Sequence, residues 1–131
     1  MDNKPLRGFR DFYPDDFAPR EELISKIINI GKKFGFRMIE CPSVESLELF
    51  EKKSGPDIVN ETFAFTDKGN RKITLIPELT PSEARIYIAK QKELVKPVKW
   101  MSFSKMWRYE EPQSGRLREF YQWNFDIFGV A

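Results

Sequence analysis

The chain has 131 residues, of which 40% are hydrophobic and 15% aromatic, so it can form one domain with a packed core and is not a disordered segment. Its net charge of +2 excludes a general polycation. The chain has one cysteine, Cys41, which excludes an internal disulfide. It has no histidine, which excludes a Ser-His or Cys-His dyad and, with the single cysteine, a Cys/His metal cluster. We therefore predict no protein metal site. The single cysteine fits a cytoplasmic location, and the lack of any long apolar run argues against a membrane protein.

The first predicted element after an irregular N-terminal stretch is a helix over residues 19–34. Pro19 suits its first turn, and Gly35 suits a left-handed C-terminal cap. Apolar residues recur along it with helical spacing: Leu23, Ile24, Ile27, Ile28, Ile30 and Phe34. A strand over residues 36–40 follows and ends before Pro42. The pattern alone does not decide whether this helix and strand form an ordinary unit or contact a partner.

The middle of the chain predicts a short helix, a hairpin and a third helix. The helix covers residues 47–53, and the hairpin strands cover 62–66 and 72–76 around a turn at 67–70. Thr80, Pro81 and Glu83 have the spacing of a capping box that opens a helix over 82–91. Glu78 and Thr80, between strand and helix, could bind an ammonium group. The simpler alternatives are an exposed acid and a helix cap.

Residues 101–129 predict a long hairpin whose loop is residues 111–117, punctuated by Pro112 and Gly115. Since strand side chains alternate, one face is aromatic or aliphatic and the other polar. The polar set is Arg108, Glu110, Arg118, Phe120, Gln122, Asn124 and Asp126. If Glu110 pairs near Arg118, then Arg108 lies beside Phe120.

The polar face suits a nucleotide and a small zwitterion. Arg108 can meet a phosphate with its planar fork, and Phe120 offers a flat surface for a base. Gln122 and Asp126 can accept hydrogen bonds from an amine. The alternative is an antiparallel sheet with one solvated face, which is the commoner case.

The sequence resembles class II aminoacyl-tRNA synthetases, and within them the histidyl-tRNA synthetase family. Trp-Arg-Tyr-Glu at 107–110, the Pro-Gln-Ser-Gly-Arg loop and Arg-Glu-Phe-Tyr-Gln at 118–122 resemble motif 2, which we place at about 101–129. The helix and strand at about 19–42 resemble motif 1, and residues 7–14 resemble the family's opening segment. Pro-Glu-Leu-Thr at 77–80 looks like the archaeal form, with Ile76 where the family usually has arginine.

The resemblance implies a role for each matching residue. Those implied to bind ATP are Arg108 on the α-phosphate, Glu110 on the adenine amino group, Arg116 on the terminal phosphates and Phe120 under the adenine. Those implied to bind the amino acid are Glu78, Thr80 and Gln122 around the α-ammonium and Asp126 at the imidazole. Arg108, which also meets the amino acid carboxylate, is the implied catalytic residue.

The implied reaction is attack of the histidine carboxylate on the α-phosphorus of ATP, followed by transfer to tRNA(His). Arginines stabilise charge on the phosphoryl oxygens, and Mg²⁺ comes with the nucleotide through its phosphates. The implied partners are ATP, histidine, the acceptor end of tRNA(His) near the 114–116 loop, and a second copy through motif 1. The implied location is the cytoplasm.

The element order predicts an α+β fold with helices flanking a mostly antiparallel sheet, as in class II synthetases. The resemblance assigns residues 1–131 to the N-terminal part of the catalytic domain, without motif 3 and the anticodon-binding domain. We therefore expect weak or no activity from this chain alone. Two other interpretations stay open: the synthetase-like regulatory subunit of ATP phosphoribosyltransferase, and a non-catalytic dimerisation or RNA-binding module.

Overall fold

The computed structural model describes residues 2–130 and has the predicted α+β fold. No helix in that range is both long and apolar enough to cross a membrane. The elements in chain order are α1 (Pro14–Lys33), β1 (Arg37–Met38), β2 (Val44–Ser46), α2 (Leu47–Ser54), a 3-10 helix (Pro56–Glu61), β3 (Ala64–Thr66), β4 (Lys72–Leu75), α3 (Thr80–Lys90), β5 (Val98–Trp107) and β6 (Glu119–Phe128).

Two three-stranded sheets form the framework. One has the order β1-β5-β6 and the other β2-β4-β3. All pairs are antiparallel except β1 with β5, which confirms a mostly antiparallel fold. The short strand β2 and the 3-10 helix were not predicted, because neither is long enough to show a periodic pattern.

The predicted hairpin of residues 101–129 is confirmed, but its register differs from the expected one by two residues. Trp107 lies opposite Glu119, and the Arg108 amide donates to the Arg118 carbonyl at 2.9 Å. Glu110 therefore does not pair with Arg118. Because a shift of two residues preserves the alternation, the polar side chains still share one face.

Helix α1 begins five residues before the predicted start. Pro14 occupies the first turn, where no amide partner is needed, and Asp15 and Asp16 complement the positive helix end. Pro19 lies inside the helix rather than at its start. Gly35 follows the helix with φ +82°, which confirms the predicted left-handed position.

The predicted capping box at the start of α3 is wrong. The N-cap residue is Leu79, and no side chain caps the helix. Thr80 is already helical, and the Glu83 carboxylate turns instead toward the sheet, where it accepts a hydrogen bond from Ser102. The Glu83 side chain thus contacts Ser102 of the sheet and not, as its spacing from Thr80 had suggested, the backbone at the start of the helix.

The hydrophobic core lies among α2, α3, the end of β4 and the end of β5. Its buried residues are Cys41, Phe50, Ile76, Leu79 and Met106. Burial raises the pKa of the Cys41 thiol to about 11, so the thiol stays protonated and acts as an apolar group. Phe120 packs against the edge of this core.

The N-terminal segment is tied to the hairpin. The Gly8 carbonyl accepts hydrogen bonds from the amides of Arg118 at 2.8 Å and Glu119 at 3.3 Å. Gly8 has φ +88°, and a Cβ there would lie 2.7 Å from the Arg118 side chain. The segment therefore contacts the base of the 111–117 loop at a position that requires glycine.

Candidate functional site

The four residues predicted to bind a nucleotide line one cavity of about 360 Å³ beside the hairpin loop. Arg108 directly follows β5 and Phe120 lies near the start of β6, while Glu110 and Arg116 come from the segment that joins the two strands. The cavity thus combines two cations, a carboxylate and an aromatic ring. Its lining is completed by Gly115, Leu117 and Tyr121.

Arg108 connects the hairpin to the segment between β4 and α3. Its Nε donates to the Pro77 carbonyl at 3.1 Å, and its guanidinium carbon lies 5.2 Å from the Phe120 ring centroid. These two contacts hold the fork over the ring. The remaining guanidinium donors are available to an anionic ligand.

The loop charges are less constrained. Arg116 and Glu110 approach to 3.9 Å, with the Arg116 side chain 72% exposed, so this pair contributes little to stability. Arg118 is better held, because its Nε donates to the Glu110 carbonyl at 2.8 Å and its guanidinium stacks on Tyr109. Arg118 therefore supports the loop, while Arg116 can move toward a ligand.

Glu78 and Thr80, predicted to bind an ammonium group, lie near α2. The Glu78 carboxylate binds the Lys53 ammonium at 2.5 Å, so it already holds a cation of the kind predicted for it. Thr80 is exposed and, with Lys53 and Ala84, lines a groove between α2 and α3. Among the residues described, the Thr80 hydroxyl makes no hydrogen bond to Glu78, Gln122 or Asp126.

Gln122 and Asp126 lie on the polar face of β6, and Asp126 is a neighbour of Glu83 on α3. Gln122 Nε2 donates to Asn124 Oδ1 at 2.9 Å, and Asn124 Nδ2 donates to Glu83 Oε2 at 3.2 Å. On the other side, Ser102 Oγ donates to Glu83 Oε1 at 2.8 Å. Glu83 therefore links the two strands of the hairpin to α3.

Glu83 was not predicted as a site residue, since it was assigned to the helix cap. It is 1% exposed, and burial, together with its neighbour Asp126, raises its pKa to about 7. In the sequence, Glu83 stands four residues before Tyr87 and therefore on the same helix face. Because Tyr87 stacks on Phe128 in the structure, that face is the one that contacts the sheet.

Outside this region, a larger cavity of about 560 Å³ lies beside β2, α2 and the β3–β4 turn. Its rim carries the Arg71–Asp67 ion pair and several acids, and it contains none of the predicted site residues. Within residues 2–130, no three His, Cys, Asp or Glu side chains are grouped so that they could hold a metal ion.

Solved structures share this fold over nearly the whole chain. An apo histidyl-tRNA synthetase from S. aureus has a TM-score of 0.81 with 27% identity and matches 99% of this chain and 30% of its own. A Bacillus halodurans protein described as an ATP phosphoribosyltransferase regulatory subunit/histidyl-tRNA synthetase has a TM-score of 0.85, but its 21% identity indicates the fold alone. The fold is that of the class II aminoacyl-tRNA synthetases.

The sequence comparisons narrow the class. A sequence model of the histidyl-tRNA synthetase family matches residues 8–131. The histidine--tRNA ligase of Haloarcula marismortui is 52% identical over 126 residues, which are 96% of this chain and 29% of that protein. That of Thermoplasma volcanium is 47% identical over 131 residues, or 30% of its length. The chain belongs to the histidyl-tRNA synthetase family and spans less than a third of these relatives.

Proposed function

We propose that this chain supplies the ATP-binding hairpin and part of the amino acid pocket of a histidine–tRNA ligase. In this proposal, residues 1–131 are the N-terminal part of the catalytic domain, with motif 1 at about 19–42 and motif 2 at about 101–129. The observation that carries it is the cavity in which Arg108, Glu110, Arg116 and Phe120 meet.

In the proposed nucleotide complex, the adenine stacks on Phe120 and its amino group donates to Glu110. Arg108 binds the α-phosphate, where charge develops during attack by the histidine carboxylate, and Arg116 reaches the terminal phosphates. The contact of Arg108 with Pro77 supports this role, because it positions the guanidinium between the nucleotide cavity and Glu78. Mg²⁺ enters with the phosphates, whose oxygen atoms it prefers as ligands.

In the proposed amino acid complex, the α-ammonium group binds Glu78, Thr80 and Gln122, and Asp126 meets the imidazole. The ion pair of Glu78 with Lys53 supports a cation site at Glu78. Lys53 then leaves the carboxylate when the ammonium group binds. Because both partners are partly exposed, the exchange costs little free energy.

The proposed partners are tRNA(His), whose acceptor end approaches the 114–116 loop, and a second copy of the chain through motif 1. Exposed apolar side chains support the second contact: Leu23 and Ile30 on α1, and Phe34 directly after it. The proposed location is the cytoplasm.

The test is binding of Mg²⁺–ATP by calorimetry to the chain and to Arg108→Ala. We expect the variant to bind about ten- to a hundredfold more weakly, because a charge-assisted contact to phosphate contributes about 1.5–3 kcal/mol. Arg71→Ala, which removes an exposed arginine that does not line the cavity, is the matched control and should bind as the parent chain does.

Histidine-dependent exchange of pyrophosphate into ATP is then measured on the same proteins. Exchange that Arg108→Ala abolishes supports a complete adenylation centre in this chain. ATP binding without exchange supports the partial site proposed here. Histidine binding without ATP binding favours a regulatory subunit, and binding of neither ligand overturns the proposal in favour of a dimerisation or RNA-binding module.

A further inference from the structure

Two carboxylates lie beside one another on the polar face of the hairpin. Glu83 comes from α3, and Asp126 comes from β6. Glu83 is 1% exposed, and the Oδ2 atom of Asp126 is buried without a hydrogen-bond partner. Within residues 2–130, neither residue belongs to an ion pair.

Two such groups cannot both stay ionised at low cost. Moving a carboxylate out of water without a compensating charge is expensive, and a second negative charge beside it adds repulsion. One proton held between the two carboxylates removes both penalties and gives the buried Asp126 oxygen a donor.

The hydrogen bonds around Glu83 fix where that proton can lie. Its two oxygens accept from Ser102 Oγ at 2.8 Å and from Asn124 Nδ2 at 3.2 Å, so its carboxyl plane is held by both strands of the hairpin. Ser102 and Asn124 each donate a hydrogen bond to Glu83, whereas the ionised Asp126 carboxylate has no donor and can only accept one.

We propose that Glu83 is a positioning residue that shares one proton with Asp126 Oδ2 and thereby leaves the other Asp126 oxygen as the charged acceptor for a ring N–H. The pair then presents a single negative charge in a fixed direction. A ligand that carries an N–H donor at its edge, such as a nitrogen heterocycle, fits this acceptor. The identity of that ring as histidine's imidazole rests on the proposed function, whereas the shared proton does not.

The other charged groups near the pair do not supply the missing cation. Arg85, on α3, is engaged by Glu45 of β2, with its Nη2 atom 2.5 Å and its Nε atom 3.1 Å from Glu45 Oε1. Cys41, which follows β1 and lies near Glu83, adds a buried thiol and no positive charge. Burial and Asp126 together raise the pKa of Glu83 to about 7, in agreement with a retained proton.

The first test is a carboxyl ¹³C NMR titration of the ligand-free chain and of Glu83→Gln, Asp126→Asn and the exposed control Glu93→Gln. We expect one carboxyl midpoint near pH 7 in the parent chain and in the control. That midpoint should vanish in Glu83→Gln, and it should fall by at least about one pH unit in Asp126→Asn, because the neighbouring like charge is gone. A parent chain in which every carboxyl titrates below about pH 5.5 overturns the inference.

The second test is histidine binding at pH 6 by calorimetry. Glu83→Ala should weaken binding at least about tenfold, while Glu83→Gln, which keeps an N–H donor, should stay within about threefold. Parent-like binding by Glu83→Ala overturns the positioning role even if a proton is shared. If the parent chain binds no histidine, the proposed amino acid pocket fails, and the ligand-free titration alone decides whether Glu83 and Asp126 share a proton.

Discussion

Three glutamates of the site differ in chemistry because their neighbours differ. Glu110 lies at the mouth of the cavity near Arg116, where solvent screens both charges. Glu78 is more buried and holds Lys53. Glu83 is fully buried, and it faces Asp126 instead of a cation. At this scale, what a carboxylate can do follows from which side chain lies beside it.

The raised pKa of Glu83 predicts a pH-dependent loss of stability. The Glu83 carboxyl binds its proton more tightly in the folded chain than in the unfolded chain. The stability that this difference contributes is complete below about pH 4.5 and is lost as the pH rises through about 7. Relative to Glu83→Gln, which cannot ionise, the free energy of unfolding of the parent chain should fall by up to about 3 kcal/mol between pH 5 and pH 8.

Urea unfolding of both proteins at several pH values measures this difference. Glu93→Gln, at an exposed position, serves as the control and should follow the parent curve. A difference between the parent chain and Glu83→Gln that is constant with pH would contradict a raised Glu83 pKa, whatever its absolute size.

Among the elements, the β5–β6 hairpin depends on a segment distant in sequence. The carbonyl of Gly8 accepts two amide hydrogen bonds at the start of β6, and the aromatic ring of Phe9 packs against Phe63. These contacts hold the base of the 111–117 loop, which lines part of the candidate cavity. Neither the hairpin nor the N-terminal segment forms these hydrogen bonds alone.

Substitution Gly8→Ala should destabilise the chain by about 1 kcal/mol more than Gly115→Ala does. Both glycines have positive φ, but a Cβ at Gly8 would lie 2.7 Å from Arg118, whereas nothing lies within 4 Å of one at Gly115. Chemical denaturation measures the cost, and hydrogen exchange at the amides of Arg118 and Glu119 locates it. Equal costs for the two variants, with unchanged exchange, would show that the contact does not stabilise the hairpin.

For the whole molecule, the aromatic face of the hairpin is only partly covered. Gly31 of α1 packs closely on Met101 and Phe125, but Phe125 remains 45% exposed and Ile127 49% exposed. Together with the exposed apolar residues of α1, these side chains form an exposed hydrophobic surface. A second copy of the chain is the proposed occupant.

The change Ile30→Asp should therefore weaken self-association at least about tenfold, because it buries a charge at the proposed contact. Sedimentation velocity over a range of concentrations measures the effect. Ile88→Asp, which alters an exposed isoleucine on α3, is the matched control and should associate as the parent chain does. A parent chain that is monomeric throughout the range contradicts the proposed dimer.

Much of the fold could be predicted because it depends on neighbouring residues. Alternation along residues 101–129 identified the hairpin and its two faces, and Gly35 marked the end of α1. The start of α1 and the cap of α3 were mispredicted, since each local signal had a competitor: Pro14 offered an earlier first turn, and Ser102 and Asn124 offered Glu83 better partners than the helix end did.

The sequence by itself determined the family, the fold class and the set of side chains on the polar face, because motifs and strand alternation are properties of adjacent residues. Only the tertiary structure decided that Lys53 binds Glu78, that Gly8 holds the base of the loop, and that Glu83 lies against Asp126. These contacts join residues far apart in the chain. Their geometry depends on how the helices pack on the sheets, which no local pattern encodes.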